Sequence, residues 1–115
     1  MKILILEDDK NRIDFFKKHF NRHELIFVDS CRSALNNLYN QKFDIVYVDH
    51  DIPSDNPNNN GYKLIKKVVE SKLQKKASFL IHSMNPVGAN NMLKTLQHNG
   101  YDAHWIPFHL LTSIK

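Results

Sequence analysis

Ionisable and hydroxyl side chains directly follow four short apolar runs of this sequence. These side chains are Glu7, Asp8 and Asp9; Asp49, His50 and Asp51; His82 and Ser83; and His104. If the apolar runs are parallel strands of one sheet, the four groups meet at its carboxyl edge, where open α/β sheets bind ligands. Carboxylates crowded there would repel one another unless a cation neutralised them. The pattern therefore predicts a divalent metal, Mg²⁺ or Mn²⁺, together with a phosphate-bearing ligand.

Helical spacing follows each apolar run, so strands and helices are predicted to alternate along the chain. Strands are predicted at residues 3–6, 25–28, 44–48, 78–81 and about 102–106, and helices at 10–20, from 30 or 31 to about 40, 62 to about 72, and 86 to about 98. Asn85 and Pro86 form a strong helix-start signal. This alternation favours an α/β fold with one doubly wound, five-stranded parallel sheet. Residues 108–115 can supply at most about two helical turns, so the last helix is predicted to be truncated or missing.

The bulk properties describe a single domain over residues 1–115, large enough to bury a hydrophobic core. The only cysteine, Cys31, cannot form an internal disulfide, which favours a reducing compartment. Neither a signal peptide nor a transmembrane segment is expected, so the cytoplasm is the predicted location and no membrane partner is expected. The net charge is +4, but the lysines are scattered along helix surfaces. Sequence-specific DNA binding is therefore not expected.

Three segments resemble the receiver domains of response regulators. Residues 3–9 (ILILEDD) are similar to the first strand and acidic pair of those domains, residues 43–49 (FDIVYVD) to the phosphoacceptor strand, and residues 106–108 (IPF) to the end of the Lys-Pro-Phe motif. The resemblance implies the strand order 2-1-3-4-5. It also implies a metal site formed by Glu7, Asp8, Asp49 and Asp51, the last of these through its backbone carbonyl or its carboxylate.

The chain departs from ordinary receiver domains at three places. Ile106 stands where the family has a lysine, and a polar loop of about ten residues separates Pro53 from Gly61. The segment from His82 to Met92 reads His-Ser-x-Asn-Pro-x-Gly-x-x-Asn-Met. Together with Asp-His-Asp-Ile at residues 49–52, it resembles the cyclic-phosphate processing receiver-like domain family. That resemblance implies a role with cyclic phosphates of nucleotides or RNA ends.

Catalytic roles are predicted for His82, Asp49 and Ser83. His82 could move a proton to or from a phosphoester oxygen as a general acid or base. Ser83 could orient a phosphate oxygen, whereas nothing in the sequence explains how it would be activated as a nucleophile. Strand alternation turns His50 away from Asp49 and brings Asp51 back to its side. The predicted phosphate- or ligand-binding residues are Ser83, Asn85, Asn91, His50 and His104.

Three functions are compatible with this pattern. The first is a metal-dependent phosphoesterase that binds or processes a phosphorylated small molecule or an RNA-end cyclic phosphate. The second is a signalling domain in which Asp49 accepts a phosphoryl group, and Ile106 argues against it. The third is a non-catalytic binding or dimerisation module, because a missing last helix would leave apolar sheet surface for a partner such as a second copy of the chain.

Overall fold

Strands and helices alternate from one end of the chain to the other in a computed structural model, which describes residues 1–51 and 60–111. The strands are β1 (Lys2–Leu6), β2 (Glu24–Val28), β3 (Ile45–Val48), β4 (Ser78–Ile81) and β5 (Asp102–Trp105). The helices are α1 (Lys10–His19), α2 (Cys31–Asn40), α3 (Gly61–Glu70), α4 (Pro86–His98) and α5 (Phe108–Leu111).

All five strands belong to one parallel sheet with the order β2-β1-β3-β4-β5. The predicted α/β fold, the strand order and the short last helix are therefore confirmed. After β2, the chain crosses over β1, and β3 pairs with β1 on the side opposite to β2. In doubly wound sheets this reversal of strand order creates a crevice at the carboxyl edge.

A polar side chain caps the N-terminus of each of the four longer helices. Asp9, Ser30, Asn60 and Asn85 each accept a hydrogen bond from the backbone N–H three residues further on. Such caps satisfy one of the four N–H groups that have no partner inside the helix. Pro86 occupies the first turn of α4, where a missing N–H carries no cost. These caps explain why the helix starts were readable from the sequence.

The sheet is covered on both faces. One face packs against α2, α3 and α4 and includes Leu4, Leu6 and the alternate residues of β3 and β4. The other includes Ile3 and Ile5 and packs against Phe16 of α1, with Phe108 at its margin. Burial on both faces explains why the central strands are continuous apolar runs rather than alternating ones.

The end of the last strand differs from the prediction. Strand β5 ends at Trp105, one residue early, and Ile106 packs against the apolar cluster on the α1 side of the sheet. Ser78, Asp102 and His104 lie at the same edge of the sheet and are joined by hydrogen bonds of 2.6 and 3.0 Å. Apolar sheet surface left for a partner by the short last helix stays a prediction.

Two predicted features fall partly outside the described residues. They are most of the polar loop between Pro53 and Gly61 and the residues after Leu111. Among the residues that are described, no helix has the length and apolar character needed to cross a membrane.

Candidate metal and phosphate site

The register of the sheet brings three ionisable side chains together at its carboxyl edge. Leu6 pairs with Val48, and Val48 pairs with Ile81. The residue after each of these is ionisable, and in chain order they are Glu7, Asp49 and His82. They follow Ile5, Tyr47 and Leu80 by two positions, so strand alternation directs all three towards the α1 side of the sheet.

Glu7 is held by three hydrogen bonds although its side chain is only 1% exposed. Its Oε1 accepts from Nε2 of His82 at 2.9 Å, and its Oε2 accepts from the backbone N–H groups of Asp8 and Asp9 at 3.0 and 3.1 Å. Burial raises the pKa of the Glu7 carboxyl, but the hydrogen bond and the charge of His82 outweigh burial and hold that pKa below its ordinary value. Glu7 is therefore a fixed, ionised carboxylate.

His82 lies wholly inside the protein, with no exposed surface. The rings of Phe16 and Tyr47 meet its imidazole edge to face, at centroid distances of 5.4 and 6.1 Å. Nε2 is engaged with Glu7, and Nδ1 is the buried polar side-chain atom without a partner among the described residues. A proton on Nε2 points at the Glu7 carboxylate, and the two aromatic rings hold the imidazole in that orientation. His82 therefore orients Glu7.

Asp49 is buried beside Glu7 and shares a cation with it. Nη1 of Arg12 lies 3.5 Å from Oε1 of Glu7 and 3.5 Å from Oδ2 of Asp49. Burial raises the pKa of the Asp49 carboxyl and the Glu7 charge adds to this, while His82 and Arg12 act against it; the pKa lies above its ordinary value. Two neighbouring carboxyls are thus held on opposite sides of their ordinary values, an arrangement typical of functional sites.

A cleft of about 210 Å³ opens over these groups at the carboxyl edge. It is lined by Glu7, Asp8, Asp9, Arg12, Asp49, Asp51 and Met84. All four residues predicted to bind a metal therefore border one cleft, which is also lined by Asp9, Arg12 and Met84. The cleft is strongly acidic, with five carboxylates facing one guanidinium among its described lining residues.

The sequence analysis did not identify Arg12. A signal was nevertheless present, because Arg12 precedes the buried Phe16 by four residues and so lies on the same face of α1. That face covers the carboxyl edge where the acidic residues meet. A cation on an inward-facing stripe next to a predicted acidic site is therefore a pattern that could have been recognised.

Several predicted ligand-binding residues lie behind the cleft rather than on its surface. Ser83 is fully buried, and its Oγ accepts a hydrogen bond from the backbone N–H of Asn85 at 3.0 Å. His50 points to the other side of the sheet, where its Nδ1 lies 2.8 Å from Oδ1 of Asp51. Its ring packs so closely on Gly88 that a Cβ there would lie 2.4 Å from it. These residues fix the start of α4 against the end of β3.

Two further predicted residues lie away from the cleft. His104 is 63% exposed on β5, where its Nε2 interacts with Oδ1 of Asp102 at 3.0 Å. Asn91 is exposed on α4, and its backbone carbonyl accepts a hydrogen bond from Thr95. The structure does not bring either residue together with Glu7 and Asp49.

A family model described as the cyclic-phosphate processing receiver domain matches residues 2–98, which is most of the chain. The chain belongs to this family. The match begins with β1 and ends with the last residue of α4, so it includes every residue that lines the cleft. No curated protein matches the sequence.

Solved structures show that this cyclic-phosphate processing receiver domain has the ordinary receiver fold. A CheY-like receiver domain from Methylobacillus flagellatus is 19% identical, with a TM-score of 0.70 and coverage of 100% of this chain and 98% of that one. A Thermotoga maritima response regulator in complex with Mg²⁺-BeF is 17% identical, with a TM-score of 0.70 and coverage of 97% and 93%. The non-phosphorylated HemR receiver domain of Leptospira biflexa is 25% identical, with a TM-score of 0.69 and coverage of 92% and 80%.

Proposed function

We propose that this receiver domain binds a divalent metal, Mg²⁺ or Mn²⁺, in the acidic cleft and there binds or processes a phosphoester, with a cyclic phosphate of a nucleotide or RNA end as the favoured ligand. The observation that carries the proposal is the alignment of Glu7, Asp49 and His82 on three adjacent strands. Their potential ligand atoms all lie within 4.8 Å of one another. The cyclic-phosphate part rests on the family to which the chain belongs.

The donor set fits a hard divalent cation. Carboxylate oxygens are the preferred protein ligands of Mg²⁺ and Mn²⁺. Glu7, Asp8 and Asp49 would hold the ion, with Asp51 at the rim of the cleft. The nitrogen of His82 suits Mn²⁺ better than Mg²⁺, but that nitrogen already donates to Glu7. When bound, the ion would polarise a phosphoryl oxygen and lower the cost of bringing a phosphate to an acidic surface.

The protein's own residues prepare the cleft for such a ligand. The three hydrogen bonds on Glu7 leave little freedom for its carboxylate, so little ordering is needed when an ion binds. His82 supports Glu7 from behind, as the outer residues of metal sites commonly do. Direct proton exchange between His82 and a substrate stays a prediction, because the imidazole is fully buried, its Nε2 contacts Glu7, and it is not among the residues that line the cleft.

The proposed roles of the remaining residues depend on their position around the cleft. Asp49 has the one carboxyl of the central pair whose pKa is raised, and it would take part in catalysis as well as in metal binding. Ser83, Asn85 and His50 would act indirectly, by fixing the segment that carries Met84 into the cleft wall.

The phosphoacceptor function is the second candidate. It is favoured by the position of Asp49, which stands at the end of the central strand β3 and borders the cleft. Ile106 opposes it, since this residue packs into the apolar cluster on the α1 side and places no cation beside Asp49. The binding-module interpretation keeps the family fold and needs neither metal nor catalysis.

Isothermal titration calorimetry with Mg²⁺ and Mn²⁺, followed by an activity panel, tests the proposal. We expect one ion per chain and, in the presence of that ion, hydrolysis of at least one of 2′,3′-cyclic nucleotides, 3′,5′-cyclic nucleotides, ADP-ribose cyclic phosphate or an RNA ending in a 2′,3′-cyclic phosphate. Metal binding without binding or turnover of any phosphoester would leave the binding module as the better account. No metal binding at all would contradict the proposal.

A further inference from the structure

Arg12 occupies an unusual position for a side chain bordering a proposed metal site. Its guanidinium lies between the two buried carboxylates, 3.5 Å from an oxygen of each. The side chains of Glu7 and Asp49 are 1% and 8% exposed, whereas that of Arg12 is 26% exposed. The cation therefore closes the pair on its solvent side, where an incoming ion would meet these same oxygens.

The contacts of Arg12 are loose enough to be exchanged. Both ion-pair distances are at the long end for a hydrogen bond, and neither carboxylate is engaged by the paired N–H donors that make arginine–carboxylate contacts strong. The guanidinium also lies over the ring of Phe108, 5.0 Å from its centroid. This cation–π contact would be kept if the guanidinium moved away from the carboxylates.

The balance of charge in the cleft bears on what Arg12 can do when a phosphate ligand binds. The described lining residues include five carboxylates and one guanidinium. A phosphate ligand brings further negative charge, and a divalent ion alone would leave the total strongly negative. Guanidinium groups match the geometry of phosphate oxygens with paired N–H donors. Among the described residues that line the cleft, Arg12 is the one whose side chain can make such contacts.

We propose that Arg12 is an exchangeable counterion: it neutralises Glu7 and Asp49 in the metal-free protein, yields them to the divalent ion, and then binds the phosphate oxygens of the ligand. This inference rests on the proposed function and deepens it by naming the residue that recognises the phosphate. Arg12 accordingly weakens the binding of the metal when no phosphate is present, and it strengthens the binding of phosphate once the metal is bound.

The test compares the wild type with Arg12→Gln, which removes the charge, and with Arg12→Lys, which keeps it. Lys18→Gln is the matched control, because it removes one positive charge from an exposed position on the same helix. Calorimetry measures Mg²⁺ affinity, and NMR titration with inorganic phosphate at saturating Mg²⁺ measures phosphate affinity. Thermal denaturation in EDTA and in Mg²⁺ provides a second measure of metal binding for a variant that is destabilised without metal.

We expect Arg12→Gln to bind Mg²⁺ about tenfold or more tightly than the wild type, since a positive charge a few ångströms from a divalent ion is removed. The Mg²⁺-induced rise in Tm should likewise be larger in this variant. Phosphate should bind at least about fivefold more weakly to its Mg²⁺-saturated form, because charge-assisted hydrogen bonds are lost. Arg12→Lys should lie between the two, and Lys18→Gln should match the wild type in both measurements.

The outcomes separate this inference from the proposed function. A wild type that binds Mg²⁺, together with Arg12→Gln of unchanged Mg²⁺ or phosphate affinity, would overturn the inference and leave the proposed metal site intact. If neither protein binds Mg²⁺, the proposed function fails and the inference fails with it. An Mg²⁺ site that appears only in Arg12→Gln would overturn the exchange, because Arg12 would then block the ion in the wild type and not yield the carboxylates to it.

Discussion

Nε2 of His82 lies 2.9 Å from Oε1 of Glu7, and these two side chains, 75 residues apart in sequence, are 0% and 1% exposed. A buried carboxylate without partners would cost several kcal/mol. The imidazole therefore makes it possible for Glu7 to remain ionised at the floor of the cleft. This pair links the stability of the domain to the state of its proposed metal site.

Substitutions of His82 distinguish a positioning role from direct proton transfer. His82→Ala should lower the free energy of unfolding by about 2–4 kcal/mol, since it leaves Glu7 without its buried donor and opens a cavity. His82→Gln carries a side-chain amide nitrogen that can reach the position of Nε2. We expect it to keep Mg²⁺ affinity within about threefold of the wild type, whereas His82→Ala should lose considerably more.

Activity measurements on the same variants complete this test. A general acid or base typically contributes about 100- to 10,000-fold to the rate. A His82→Gln variant that binds metal normally but loses activity on that scale would assign proton transfer to His82 itself. Retained activity in His82→Gln, with loss in His82→Ala, would support the positioning role.

Glu7 should make the domain sensitive to acid. Because its folded pKa lies below the ordinary value of 4.5, its ionisation contributes stability that is present above about that pH and is lost as the pH falls through the folded pKa. Urea unfolding of the wild type between pH 7 and pH 3 should show this loss. Glu7→Gln should be about 1–3 kcal/mol less stable at pH 7, since its amide cannot accept all three hydrogen bonds, and should lose less below pH 5.

The exposed Glu70→Gln is the control for this series. Its pH dependence should follow that of the wild type, because the side chain lies on the solvent side of α3. A Glu7→Gln variant that loses as much stability in acid as the wild type would contradict the assignment of Glu7 as an ionised, buried anchor.

Asp49 should have the opposite effect on stability. Burial raises the folded pKa of Asp49 above the ordinary value of 3.8, so ionisation of Asp49 destabilises the folded protein. The stability associated with its protonated form is fully present below pH 3.8 and is lost as the pH rises through the folded pKa. Asp49→Asn should therefore be more stable than the wild type at pH 7, by an amount on the order of 1 kcal/mol. The difference should vanish below the ordinary pKa.

Asp49→Asn should also abolish Mg²⁺ binding in calorimetry, since it removes a central charged ligand. Asp14→Asn, on the exposed side of α1, controls for the loss of one negative charge. Mg²⁺ affinity that is unchanged in Asp49→Asn would rule out the assigned metal site.

Acetyl phosphate distinguishes the phosphoacceptor function from the proposed one. We expect no long-lived phosphoform of Asp49 in the presence of Mg²⁺, because the apolar Ile106 stands where receiver domains have the lysine that would position the acyl phosphate. Intact-mass spectrometry is the measurement. A stoichiometric adduct of about 80 Da, the mass of one phosphoryl group, would place the phosphoacceptor function first.

Gly61 should be intolerant of any side chain. A Cβ at this position would lie 2.2 Å from the backbone carbonyl oxygen of Asp49 and 2.9 Å from Cα of His50. Backbone atoms cannot move aside at low cost, so Gly61→Ala should lower the free energy of unfolding by about 2–4 kcal/mol in urea titrations. Lys63→Ala, on the exposed side of the same helix, should change it by less than about 0.5 kcal/mol. Wild-type stability in Gly61→Ala would show that α3 does not approach the end of β3 this closely.

The fold was predictable because its signals are local. Apolar runs of four or five residues, helix caps such as Ser30 and Asn85, and the Asn99-Gly100 pair after α4 act within a few residues of one another. The strand order came from the resemblance to receiver domains. The boundary of β5 was predicted one residue too long, because the apolar character of Ile106 marks burial and does not distinguish a strand residue from one packed just beyond the strand.

The sequence by itself determined which residue types stand at the carboxyl edge, because strand ends can be read from short apolar runs and parallel strands share that edge. Only the tertiary structure decided how those residues divide between the cleft and the interior. Packing of α1 over the edge buried His82 and brought Arg12 between Glu7 and Asp49, while α3 and α4 enclosed His50 on the other side. Such contacts depend on the relative position of elements distant in sequence, and no local pattern of residues specifies that position.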